Sequence, residues 1–101
     1  MLLPEKIELA RKAGDFAADL VPDEGTCCMD YVWLPRKAVT RSEAAALGLS
    51  EGRSDGGFRY GEKGWTLRCR GPFQASKRTV WCKAVAGALH DLGAQVIYVT
   101  D

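Results

Sequence analysis

Apolar positions recur with the clearest period in the last third of the chain. Val80, Trp81, Ala84, Val85, Ala88, Leu89 and Leu92 follow one another at three- and four-residue spacing, which gathers them on one side of a 3.6-residue helix. Lys77, Arg78, Lys83, His90 and Asp91 fall largely on the other side. Gly71-Pro72 breaks the chain before this helix, and Gln74 or Ser76 can cap it. Gly93 suits the left-handed residue that closes a helix. Val96, Ile97, Tyr98 and Val99 then form a β-rich run that is apolar on both faces, which predicts a strand inside a sheet.

The same pattern predicts a first helix over Pro4–Leu20. Pro4 fits the first turn, Glu5 and Glu8 lie near the positive end of the dipole, and Leu9, Ala13, Phe16, Ala17 and Leu20 form an apolar stripe. Val21 to Gly25 turns the chain. Thr26–Leu34 reads as a strand, with Cys28, Asp30, Val32 and Leu34 on one face and Cys27, Met29, Tyr31 and Trp33 on the other. Pro35 ends it or marks an edge.

Thr40-Arg41-Ser42-Glu43 has the form of a capping box. It opens a short helix, Arg41–Leu47, that Gly48 stops. Ser50–Gly57 reads as a polar, glycine-rich loop. Phe58–Tyr60 and Trp65–Arg70 read as a hairpin across Gly61–Gly64. In its second arm Trp65, Leu67 and Cys69 alternate with Thr66, Arg68 and Arg70.

The predicted order is α-β-α-β-β-α-β. It describes a single α+β domain over residues 1–101, with two longer helices on one face of a three- to four-stranded, mostly antiparallel sheet. The other face is expected to be partly open and to carry arginines. Strand order does not follow from the pattern.

Composition narrows the class. A hydrophobic fraction of 47% in 101 residues belongs to a globular chain and excludes a disordered one. The N-terminus has no basic segment followed by an apolar core, and no run approaches the roughly 20 apolar residues of a membrane span. The expectation is a cytoplasmic protein with reduced cysteines and no membrane contact.

Charge adds more than composition does. Formal net charge is +1. Residues 1–35 carry 3 Lys/Arg and 7 Asp/Glu, residues 36–83 carry 11 and 4, and residues 84–101 carry none and 2. The basic charge is therefore concentrated in the middle of the chain.

Cys27, Cys28, Cys69, Cys82 and His90 lack the CxxC spacing of a zinc site, and small buried thiols are the plainer reading. Cys82 and His90 lie eight residues apart, about 12 Å along one helix axis, too far for proton transfer. Catalytic and cofactor-binding motifs are absent. No catalytic residue, metal or cofactor is expected, and a cysteine-dependent or acid–base enzyme is the weakest alternative.

The strongest constellation is basic: Arg59, Lys63, Arg68 and Arg70 on the hairpin, with Lys77 and Arg78 at the helix entrance. Arginine forks match phosphate and carboxylate oxygens, a helix N-terminus favours an anion, and Tyr60, Trp65 and Phe73 could stack on bases. The plainer reading is a solvated sheet face with those aromatics in the core. The expected function is a small non-enzymatic binding or regulatory protein that docks on a macromolecular partner, either a protein complex or a nucleic acid, through this face. A concrete form is a phage-type inhibitor of a host nucleic-acid-handling defence complex. Direct nucleic-acid binding is the alternative, and a homodimer through a sheet edge or the Tyr31/Trp33 strand face is a further expectation.

Overall fold

The computed structural model describes residues 2–22, 24–25, 30–55, 59–69 and 75–99. Helix α1 spans Leu3–Asp19, strand β1 Tyr31–Pro35, helix α2 Arg41–Leu47, strands β2 Ser50–Arg53 and β3 Lys63–Leu67, helix α3 Ala75–Asp91 and strand β4 Ile97–Val99. The strands form one antiparallel sheet in the order β2-β3-β1-β4. Helices α1 and α3 cover one face of it, giving the expected α+β architecture.

α1 turns a different face inward from the one its large residues predict. Ile7, Ala10, Arg11, Gly14 and Ala18 are buried, whereas Leu9, Phe16 and Leu20 are exposed. The reason lies on α3. Trp81 and Val85 fill the space between the helices so completely that a Cβ on Gly14 would lie 2.6 Å from Val85 Cγ2 and 2.8 Å from Trp81 Cδ1. Only a stripe of small residues admits so close an approach. The Trp81 indole N–H, taken out of water, donates to Asp15 Oδ1 at 2.9 Å.

α2 forms as its capping residues dictate. Glu43 N–H donates to Thr40 Oγ1 at 3.1 Å, Thr40 N–H donates to Glu43 Oε1 at 2.8 Å, and Gly48 closes the helix with φ 73°. The buried guanidinium of Arg11 on α1 donates to the carbonyl of Leu47, at the negative end of the α2 dipole.

Both faces of the sheet are apolar. Val32, Leu34, Trp65 and Leu67 join the helices in the main core. Tyr31, Trp33 and Val99 form a second cluster on the other face. There the Trp33 indole lies over Gly64 and donates Nε1–H to the Gly52 carbonyl at 3.2 Å, spanning β3 to reach β2. A Cβ at Gly64 would collide with the indole and with the Leu34 carbonyl, so this crossing requires glycine.

Three expected elements differ. Ser50–Arg53 is an edge strand, not loop, because its backbone pairs with β3; Gly56 and Gly57 lie outside the described residues. The first hairpin arm is not a strand: Arg59 and Tyr60 sit in a turn, Phe58 lies outside the described residues, and Lys63 and Gly64 belong to β3. β4 is at an edge, not inside the sheet. It is apolar on both faces because Ile97 and Val99 cover the Trp33 cluster while Tyr98 packs against the main core. The predicted strand over Thr26–Leu34 is observed from Tyr31, with 26–29 outside the described residues.

Candidate binding surface at the β2 edge

Among the described residues, the expected basic side chains lie on different parts of the fold. Arg59 lies in the turn before β3, not on the sheet face. Its Nη1 donates to Glu62 Oε2 at 2.8 Å and its Nη2 to Gln95 Oε1 at 3.4 Å, beyond the far end of α3. Arg68 follows β3 beside Tyr31, with its guanidinium carbon 4.9 Å from that ring centroid. Lys63 starts β3, and the strand separates it from Arg68 by roughly 16 Å. Arg70 lies outside the described residues.

The α3 entrance joins helices together. Lys77 Nζ donates to the Ala18 carbonyl at 2.6 Å, at the C-terminal end of α1. Ser76, already inside the helix, gives its N–H to the Glu24 carbonyl at 3.1 Å, and its hydroxyl is 2.7 Å from the Pro22 carbonyl. The free amides that would favour an anion there are thus partly used within the fold. Arg78 is half-buried in the first turn of α3.

Lys63 instead joins a group that the sequence did not single out. It stands directly opposite Arg53 across the β2–β3 ladder. Arg36 follows β1 and lies 5.9 Å from the Trp65 ring centroid, while its carbonyl accepts the Trp65 indole N–H at 2.8 Å. Arg41 opens α2. Arg36 Nη2 and Arg41 Nη2 both approach Glu51 Oε1, at 3.4 and 3.1 Å. A shallow groove of about 200 Å³ is lined by Arg36, Glu51, Gly52, Arg53 and Lys63.

Arg36 and Arg41 thus share one carboxylate, and Arg53 and Lys63 line the same groove beside it. Arg53 steadies its own fork by donating Nη1–H to the Gly61 carbonyl at 2.8 Å. The exposed pairs with Glu51 add little stability in water. The group offers guanidinium forks to an incoming anion at an exposed edge.

The other chemistry-bearing residues lie away from this groove, and Cys27 and Cys28 lie outside the described residues. Cys82 is buried in the main core and Cys69 packs against it. His90 is exposed at the end of α3. Asp30 is buried and accepts from Tyr98 Oη at 2.7 Å and Thr79 Oγ1 at 3.1 Å. Burial first, and then the bond to Asp30, push the Tyr98 hydroxyl well above the usual tyrosine value. Burial, and then the bond to Asp55, likewise raise Tyr31.

No protein-family model matches the chain, and neither a curated protein nor a solved structure is similar to it. Among the described residues, no helix is long and apolar enough to cross a membrane.

Proposed function

We propose that the protein is a non-enzymatic binding protein that docks on an acidic macromolecular surface through Arg36, Arg41, Arg53 and Lys63. The direct opposition of Arg53 and Lys63 carries this reading. Like charges facing one another across a ladder oppose folding, and a single charge would already guard a short edge strand against unwanted pairing. An anionic group between them converts the repulsion into attraction. The groove suits a carboxylate or a phosphate.

A protein's acidic surface is favoured over single-stranded nucleic acid. Of the aromatics expected to stack on bases, Trp65 is buried beneath Arg36, Tyr60 is exposed in the turn before β3, and Phe73 lies outside the described residues. A single exposed ring of that set does not supply the succession of aromatic faces on which sequence-tolerant binding of single strands relies. A small regulator or inhibitor that docks on a protein component of a nucleic-acid-handling complex is one form of this role.

The test is a fluorescence-anisotropy titration of a glutamate-rich peptide and a labelled duplex oligonucleotide, with wild type and with the Arg53→Glu/Lys63→Glu variant. The reading expects the peptide to bind wild type at low salt and the variant to lose it. Tighter binding of the oligonucleotide replaces it with nucleic-acid recognition. Equal binding by variant and wild type removes the groove from either function.

A further inference from the structure

We infer that the outer face of α1 is a second docking surface, which receives an amphipathic helix of a protein partner bordered by basic side chains. The observation is the apolar stripe that the fold leaves outside. Leu2, Leu9, Phe16 and Leu20 are 70%, 44%, 70% and 71% exposed, and Ala13 lies among them. At 3.6 residues per turn Leu9, Ala13 and Phe16 within α1 fall within an arc of about 60°, and the capping residues Leu2 and Leu20 continue the stripe at either end. They lie opposite the face packed on α3.

The spacing identifies the shape of the occupant. Leu2, Leu9 and Phe16 recur every seven residues, and Ala13 and Leu20 follow Leu9 and Phe16 by four. Such a seam matches the knobs of another helix along its whole length. It runs about 27 Å from Leu2 to Leu20.

The border identifies its charge. Glu5, Glu8, Asp15 and Asp19 line one side of the stripe, with Lys12 among them and Arg11 paired to Glu8, so the side stays net acidic. Glu8 is held 2.9 Å from Arg11 Nη1, and Asp15 is held by the Trp81 indole. Both carboxylates therefore keep fixed places along the seam. Lys6 and Ala17 border the other side.

A second copy of the chain fits this border poorly. An antiparallel α1 pair would set the acidic side against itself. A parallel pair would meet it with Lys6 as the only cation. An anionic membrane surface would be repelled by the same carboxylates. A helix with lysine or arginine along one border meets both the seam and its edge. This surface is separate from the β2 groove, and its failure would leave that reading standing.

The test uses two synthetic amphipathic helices as long as α1, with one leucine seam and either lysine or glutamate borders. Binding is read by fluorescence anisotropy against wild type, Leu9→Ser/Phe16→Ser and Glu5→Lys/Asp19→Lys. Both changes lie at exposed positions, and circular dichroism confirms that each variant is folded. The expected result is lysine-bordered binding at least about tenfold tighter than glutamate-bordered binding. The serine variant loses it, and the lysine variant reverses the preference. Equal binding of both peptides, or of neither, overturns the inference. So does a dimer by light scattering that the serine variant dissolves, or co-sedimentation with vesicles that the serine variant abolishes.

Discussion

Arg53 and Lys63 stand directly opposite one another across the β2–β3 ladder, and the fold holds two positive charges where one would guard the edge. Neighbouring Arg36 and Arg41 share the single carboxylate of Glu51, so that acid does not neutralise the pair. Stability and binding should therefore pull in opposite directions at this site. Lys63→Glu places a carboxylate across from Arg53. It is expected to raise stability by about 0.2–1 kcal/mol, read as a higher midpoint in urea, while it weakens binding of a glutamate-rich peptide. A loss of stability would mean that the opposition costs the fold nothing.

Two helical glycines should respond to alanine with opposite signs. Gly14 faces Trp81 and Val85, and a methyl there meets both inside normal contact distance. Overpacking outweighs the gain in helix propensity, and Gly14→Ala is expected to lower stability by about 1–2 kcal/mol. Gly87 on α3 is exposed with nothing within 4 Å of an added Cβ. Gly87→Ala is expected to raise stability by about 0.5–1 kcal/mol. Thermal melts of the two variants beside wild type measure both signs.

Alkaline pH should unfold the protein through its tyrosines. Tyr31 and Tyr98 both have hydroxyls raised above their ordinary value of 10.0. Between that value and the raised ones, the unfolded chain gives up protons that the folded chain keeps. Stability is then fully present below pH 10 and falls as pH rises beyond it. Urea midpoints from pH 8 to 11 should decline most steeply above 10. Tyr98→Phe should flatten that decline.

Legibility in the sequence followed how each element is held. α2 was readable in full because its capping box and Gly48 are local devices. The centre of the second hairpin arm was readable because Trp65 and Leu67 alternate with Thr66, whereas β3 starts earlier, at Lys63, and ends at Leu67, before Arg68. α1 misled because it is apolar on two opposite sides. Large residues mark the exposed side, and the buried one is marked by Ala10, Gly14 and Ala18, whose smallness makes sense only beside Trp81 and Val85. β2 carries no apolar pattern, since Ser50–Arg53 is held by backbone pairing and by side chains reaching from Trp33 and Thr66.

The groove was partly hidden for the same reason. The sequence marks Lys63, but its pattern assigns Arg53 to a loop and leaves Arg36 and Arg41 in separate segments. Gly52 and Gly64, paired across the ladder and crossed by the Trp33 indole, were the signal for a hairpin with a longer connection. Lys77 looked like an anion ligand because its bond to the Ala18 carbonyl depends on tertiary packing of α1 against α3.

The most direct test of the docking surface is an NMR titration of ¹⁵N-labelled protein with a glutamate-rich peptide at low salt. Shifts are predicted at the amides of Gly52, Arg53, Lys63 and Gly64 and at the side chains of Arg36 and Arg41, and they should vanish as salt is raised. Shifts confined to Arg68, Lys77 and Arg78, or none at all, would contradict the assignment of the β2 groove.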